Sequence, residues 1–242
     1  MSNLPIRLLI HGASGRMGRA LLRLAADDAR LEVVAAVSGQ GGFIAEASSV
    51  PVFAAKDFAQ VPAFDVLVDF SLPVAFDAAL ESARQRKAAF VSGTTGLSET
   101  QRAALDAASK DIPVLWASNF SLGIAVLTDL VRRAAAALPQ WSKDLIESHH
   151  IHKQDAPSGT ALTLGAAMKT GGGSEPNYAS LRAGDIVGEH TAQFTGLGER
   201  LELTHRATNR DVFVRGALEC ALRLHGRDAG VHSVAGVLFG KV

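Results

Sequence analysis

Short apolar runs alternate with helical repeats over the first half of the chain. Ile6–Ile10 is a mostly apolar run, rich in Leu and Ile, that stops just before Gly12, as a buried parallel strand does. Gly15–Ala26 follows with Met17, Leu21, Leu22 and Ala25 at helical spacing. Further strands are expected at Leu31–Val37, Val66–Asp69, Ala88–Val91 and Val114–Trp116. Helices are expected between them at Pro73–Arg86 and at Ser98–Ser109, with Ser98 as N-cap. Strand and helix repeated in this way predict an α/β, Rossmann-like parallel sheet covered by helices.

The pattern changes near residue 120. Leu122–Leu138 reads as one long helix stopped by Pro139, Leu145–His152 as a strand and Gly159–Lys169 as a helix. Ile186–Phe194 and Leu201–Ala207 are extended and joined by a turn at Gly196–Glu199, and Asp211–Leu224 is a last helix. Gly39–Gly42 and Gly171–Gly173, the latter followed by Pro176 and Asn177, read as loops. This second block has the look of a smaller α+β domain with antiparallel pairing in a mixed sheet. The expected division is a first domain over 1–120, rejoined by 215–242, and a second over 121–214.

Composition narrows the class. The chain has 242 residues, 48% apolar and 20% charged, which is ordinary for a globular protein and excludes disorder as the default. Its 24 basic and 24 acidic residues balance, so a nucleic-acid partner is not expected. Cys220 is the only cysteine and cannot pair within the chain. Asp129 interrupts the longest apolar candidate, and no basic segment precedes a long apolar stretch near Met1. A cytoplasmic protein with no membrane partner is expected.

The first strand runs into Gly12-Ala13-Ser14-Gly15-Arg16-Met17-Gly18 and then a helix. Glycines at this spacing let the backbone approach a pyrophosphate, and the exposed N–H groups and positive helix end hold it. A plain turn is the other use of such glycines; the strand before and the helix after favour a dinucleotide. NAD sites usually carry an acid at the end of the second strand, about 20 residues on, for the ribose hydroxyls. Here Ser38 and Gly39 stand there, which leaves two readings: a site open to the 2′-phosphate of NADP, with Arg16 the nearest cation to meet it or else solvated, or a ribose held only weakly. Two further loops, Gly93-Thr94-Thr95-Gly96 and Ala117-Ser118-Asn119-Phe120, also follow strand ends, where ligands of such sheets bind.

The densest chemistry is Glu147–Thr160. Three of the eight histidines, His149, His150 and His152, fall within four positions beside Lys153. On a continuous strand Glu147, His149, Ile151 and Lys153 would share a face, with His150 and His152 on the other. Three readings compete: a proton-donating imidazole beside an ammonium, a zinc site built on His150, His152 and Glu147 or Asp155, and a solvated strand end. Ser158-Gly159-Thr160 then opens a helix whose N–H groups can cradle a carboxylate. A dinucleotide site in one block and a carboxylate site with a proton donor in the other describe a reductase. A non-catalytic NADP(H)-sensing protein on the same fold is the alternative.

These stretches carry a likeness. With Asp69-Phe70-Ser71, Ser118–Ser121, Arg182–His190 and Gly198–His205, the chain resembles the 4-hydroxy-tetrahydrodipicolinate reductase (dihydrodipicolinate reductase) family over nearly its whole length. The resemblance implies NADPH- or NADH-dependent reduction of a cyclic unsaturated dicarboxylate, 4-hydroxy-tetrahydrodipicolinate or its dehydrated form, to tetrahydrodipicolinate in lysine and diaminopimelate biosynthesis, with hydride to C4 and a proton to C3. It implies His149 as proton donor and Lys153 as its cationic partner, with His150, Gly159 and Thr160 on the substrate. It implies Gly12, Ala13, Ser14, Gly15, Arg16, Met17, Gly93, Thr94, Thr95, Ala117, Ser118, Asn119 and Phe120 on the cofactor, no metal, and a homotetramer joined through the second domain. Many members carry an acid, often followed by Arg, where this chain has Ser38 and Gly39.

Overall fold

The computed structural model describes residues 4–240 apart from Gly173. The last glycine of the expected 171–173 loop, and the first three and last two positions of the expected first domain, lie outside the described residues. In chain order the elements are β1 (Ile6–His11), α1 (Arg16–Ala26), β2 (Leu31–Ser38), β3 (Val52–Ala54), β4 (Val66–Asp69), α2 (Pro73–Gln85), β5 (Ala89–Ser92), α3 (Glu99–Ala108) and β6 (Pro113–Trp116). They continue with α4 (Leu122–Ala137), β7 (Ser142–His149), α5 (Gly159–Thr170), β8 (Asn177–Arg182), β9 (Gly188–Thr195), β10 (Arg200–Ala207), α6 (Asp211–Leu224), β11 (Gly230–His232) and α7 (Val234–Phe239). Two compact units result. One is formed by the chain up to Phe120 with the chain from Phe213 onward, the other by Ser121–Val212.

The first unit holds a seven-stranded sheet in the order β11-β6-β5-β4-β1-β2-β3, parallel at every pairing. Every residue of β4 and β5 is buried, as are Leu8, Leu9 and Ile10 of β1, so both sheet faces are covered. Phe76 of α2 meets Phe90 of β5 edge-on at 5.6 Å between ring centres, which joins a helix to the centre of the sheet. Ser98 caps α3 in the expected way: its hydroxyl accepts from the Gln101 N–H and the Gln101 side chain returns to the Ser98 N–H.

The second unit is a four-stranded sheet, β10-β9-β7-β8, with α4 and α5 packed together. Its β7–β9 and β9–β10 pairs are antiparallel, but β7–β8 is parallel, so pairing is mixed. The inward side chains of β9 are Gly188, His190, Ala192 and Phe194; those of β7 are Lys143, Leu145, Glu147 and His149. Leu145, Ala192 and Phe194 join Val131 of α4 with Leu164 and Met168 of α5 in an apolar core. Toward His149 the same face turns polar.

Several expectations need correction. The seventh strand ends at His149, not His152, because the His149 and His150 carbonyls accept from the Ala183 and Lys153 N–H groups and turn the chain. Ile151 and Lys153 therefore do not continue the face of Glu147 and His149. The segment after Gly171–Gly173 is not only loop, since 177–182 forms β8. Strands β3 and β11 were not legible in the sequence, being three residues each on the two edges of the larger sheet.

Candidate active site

In the first unit, four neighbouring strands, β1, β4, β5 and β6, end toward the same edge. One buried carboxylate ties three of these ends together. Asp69 closes β4 and accepts from His11 Nδ1, Ser92 Oγ and Thr94 Oγ1, each at 2.8 Å, and from the Ser71 N–H at 3.2 Å. Burial works against its ionisation, but the His11, Ser71 and Thr94 hydrogen bonds hold its carboxyl below the usual range. In the sequence Asp69-Phe70-Ser71 carries part of the family likeness, but no local pattern ties Asp69 to His11 or Ser92. Thr94 is spent on it: its hydroxyl also accepts from Ser71, and its carbonyl accepts from Trp116 Nε1 at 2.8 Å. Thr94 thus shapes the floor, while Thr95 and Ser118 stand exposed at the rim. Phe120 is buried against Phe70, its ring centre 5.5 Å away.

The glycine loop suits a dinucleotide. At Gly12 φ is +79°, and a Cβ would lie 2.4 Å from the Phe70 carbonyl oxygen; at Gly18 it would lie 2.2 Å from the Gly12 oxygen. Both glycines are forced by the close packing of loop, strand and helix. Gly15 is the N-cap of α1 and offers no side-chain cap, and no acid stands in the first turn. By contrast α3, α4, α5 and α7 each take a serine cap. The leading N–H groups and dipole of α1 are thus left for an anion such as a pyrophosphate. Ala13 is buried, and Ser14 and Arg16 are exposed beside this end. Ser38 closes β2 with its hydroxyl on the Gly41 carbonyl at 3.2 Å.

In the second unit the histidine segment forms around Glu147, which is buried. Arg182, at the end of β8, donates Nη2 to Glu147 Oε1 at 2.8 Å and Nη1 to Oε2 at 3.0 Å. His149 Nδ1 shares Oε2, and the Ser158 N–H reaches Oε1 at 3.3 Å. Burial disfavours the Glu147 carboxylate, but hydrogen bonds from Arg182, Ser180 and His149 prevail and bring its pKa to about 2. With Nδ1 on a carboxylate, His149 keeps Nε2 for exchange with a ligand. Gly188 clears space there: a Cβ would sit 3.0 Å from Nε2. Burial lowers the pKa of His149; Glu147 opposes this, and the charges of Lys153 and Arg182 reinforce it.

The other expected substrate groups follow His149 in the chain, and Lys153 among them acts on its imidazole through its charge. Lys153 Nζ lies 2.7 Å from Asp155 Oδ1, and the Gly159 N–H also supports that carboxylate. One of the chain's own carboxylates thus rests on an ammonium and a helix-end N–H. Nothing lies within 4 Å of a Cβ added to Gly159, so the space over the start of α5 is open. His150 has a buried Nδ1 with no partner. Ser158 caps α5, taking the Ala161 N–H at 3.2 Å, and its hydroxyl is 3.2 Å from His190 Nε2. Burial pushes His190 down to about 4, so that ring is neutral. Among the described residues no three His, Cys, Asp or Glu side chains gather as a metal set. Among the described helices none is long and apolar enough to cross a membrane.

Arg182 belongs to this cluster, yet in the sequence it has no role beyond its place in a stretch that carries the family likeness. It lies 33 positions beyond His149, and only the β7–β8 pairing sets the two opposite each other.

Family models for the N-terminus and C-terminus of dihydrodipicolinate reductase match residues 6–120 and 123–238. The chain is 62% identical over 234 residues to the 4-hydroxy-tetrahydrodipicolinate reductase of Xanthomonas axonopodis pv. citri (strain 306), covering 97% of this chain and 98% of that one. It is 61% identical over 239 residues to that of Stenotrophomonas maltophilia (strain R551-3), covering 98% and 100%. In fold it is similar to a dipicolinate-bound dihydrodipicolinate reductase from Paenisporosarcina sp. TG-14, at TM-score 0.84 and 22% identity over 97% of this chain and 99% of that one. A glycine loop between strand and helix in one unit, an imidazole anchored by a carboxylate in the other and these likenesses over nearly the whole length meet in one assignment: the chain belongs to the dihydrodipicolinate reductase family, NAD(P)H-dependent oxidoreductases that reduce 4-hydroxy-tetrahydrodipicolinate in lysine and diaminopimelate biosynthesis.

Proposed function

We propose that His149 is the proton donor of this reduction and that Lys153, His150, Gly159 and Thr160 hold the substrate's carboxylates. The observation that carries this reading is the anchored imidazole: Nδ1 is held by Glu147, and Nε2 faces the clearing left by Gly188. The Lys153 ammonium and the Gly159 N–H already support one carboxylate, that of Asp155. A planar dicarboxylate placed over the start of α5 meets the same donors. Gly12 to Met17 form the seat of the pyrophosphate, with Gly93 to Thr95 and Ala117 to Phe120 completing the cofactor site. Reduced nicotinamide, when bound, supplies a hydride. Once the 4-hydroxyl has left as water, taking a ring proton and leaving a double bond between C4 and C3, that hydride would add to C4 and the proton from His149 Nε2 would go to C3.

Binding of dipicolinate, the ligand named with the Paenisporosarcina relative, tests the carboxylate site. Hydrogen bonds to charged groups contribute roughly 1.5–3 kcal/mol. Lys153→Ala therefore weakens dipicolinate binding by about tenfold or more in calorimetry. Equal affinity would remove Lys153 from the carboxylate site. The expected assembly is a cytoplasmic homotetramer, with the exposed Leu181 and Leu201 of the second unit available to be covered by another copy.

A further inference from the structure

We propose that the Glu147–Arg182 pair is a positioning unit: it fixes the tautomer of His149 and ties the Lys153 loop and the start of α5 to β7. This inference rests on the reading of His149 as the proton donor.

The geometry singles out this pair. Glu147 receives four hydrogen bonds, two on each carboxylate oxygen, from three residues. Arg182, at the end of β8, supplies two of them, His149 shares β7 with Glu147, Ser158 is the cap of α5, and Ser180 adds a further hydrogen bond from β8. The Arg182 guanidinium does more than neutralise the acid. Its Nε donates to the Lys153 carbonyl at 3.3 Å, and its Nη2 donates to the Asp155 carbonyl. One fork therefore grips the backbone on both sides of Gln154, which sets where the Lys153 side chain departs. Lysine could not reproduce this planar, multi-donor contact, although it would supply the charge.

A carboxylate on Nδ1 keeps the proton there in the neutral ring, leaving Nε2 as the exchanging nitrogen. The groups facing His149 are Glu147 from its own strand, Lys153 from the following loop, Arg182 from β8 and His190 from β9. Glu147 raises the proton affinity of the ring, whereas Lys153 and Arg182 lower it. His190 meets it edge-on at 5.1 Å between ring centres. The two members of the pair thus act on His149 with opposite sign.

That opposition supplies the test. Histidine-labelled full-length protein, free of ligands, is titrated by NMR, and the same samples are assayed for turnover. In Glu147→Gln the amide oxygen remains with Arg182 and Ser158, and the amide NH₂ faces His149. The neutral ring is expected to switch from the Nδ1–H to the Nε2–H form, with its pKa below that of the wild type. In Arg182→Met the pKa rises above the wild type. Both variants lose turnover by at least about tenfold. Arg182→Lys returns the His149 titration toward wild type but not the full turnover, because the grip on the loop is gone. A loss of turnover with the His149 tautomer and pKa unchanged in both variants would overturn the proposal, and so would wild-type turnover in both. Because the titration is read without substrate, it stands apart from the reading of His149 itself, which fails only if His149→Gln keeps its activity.

Discussion

Replacing His149 by glutamine is expected to lower turnover by about 10²–10⁴-fold, the usual contribution of a positioned proton donor. Glutamine fills a similar volume and can still hydrogen-bond to Glu147, so the surrounding unit should stay folded. What is lost is a group at Nε2 able to release a proton beside the acceptor carbon. Binding of reduced dinucleotide should stay within a few-fold of wild type, since the proposed cofactor groups all belong to the other unit. The pH profile should change too. His149 donates only when protonated, and burial lowers its pKa below the ordinary imidazole range. For the free wild-type enzyme, kcat/KM therefore falls as pH rises through that lowered value. The glutamine variant should lack this limb. Equal turnover in wild type and variant would exclude His149 as the acid.

Gly12→Val is expected to damage both stability and cofactor binding. Gly12 has φ +79°, in the left-handed region, which costs a β-branched residue about 1–2 kcal/mol. Its Cβ would also press on the Phe70 backbone at 2.4 Å, where no flexible side chain can yield. Overpacking of this kind adds roughly 1–3 kcal/mol. The unfolding free energy should therefore drop by about 3 kcal/mol, read as a lower urea midpoint. Any folded fraction should bind NADPH poorly, because relief of the clash moves the loop ahead of α1. An unchanged midpoint would contradict the packing account. A lowered midpoint with intact NADPH binding would instead remove the loop from the cofactor site.

These two positions show what a chain reveals by itself. The glycine loop was legible because its constraints are local: a strand, a tight turn and a helix lie within about twenty residues. β4 and the Ser98 cap were legible for the same reason. The buried runs of β1 and β5 announced a covered parallel sheet before any pairing was known. β8 was hidden because its side chains are mostly exposed and follow turn residues, so its existence depends on pairing with β7. β3 and β11 are similarly short and owe their form to the sheet edges they join.

In the active segment, residue types were readable but their geometry was not. Period-two spacing correctly put Glu147 and His149 on one face, then failed beyond His149, where backbone hydrogen bonds to Lys153 and Ala183 bend the chain. On a continuous strand Lys153 would share the face of His149, but it sits on a loop gripped by Arg182. The role of Arg182 depends on a register between strands separated by a helix, which no local pattern encodes. His11 and Asp69 are a similar case, lying 58 residues apart and joined only because β1 and β4 are neighbours.

The absence of an acid at Ser38 and Gly39 bears on the choice of cofactor, since a carboxylate there would repel the 2′-phosphate of NADPH. The most direct test of the whole account follows the loss of reduced-nicotinamide absorbance with substrate formed in place from pyruvate and aspartate semialdehyde by the preceding synthase, in separate runs with NADPH and NADH. The account predicts oxidation that depends on the synthase, with NADPH accepted. No oxidation with either cofactor, from folded protein and an active synthase, would contradict it.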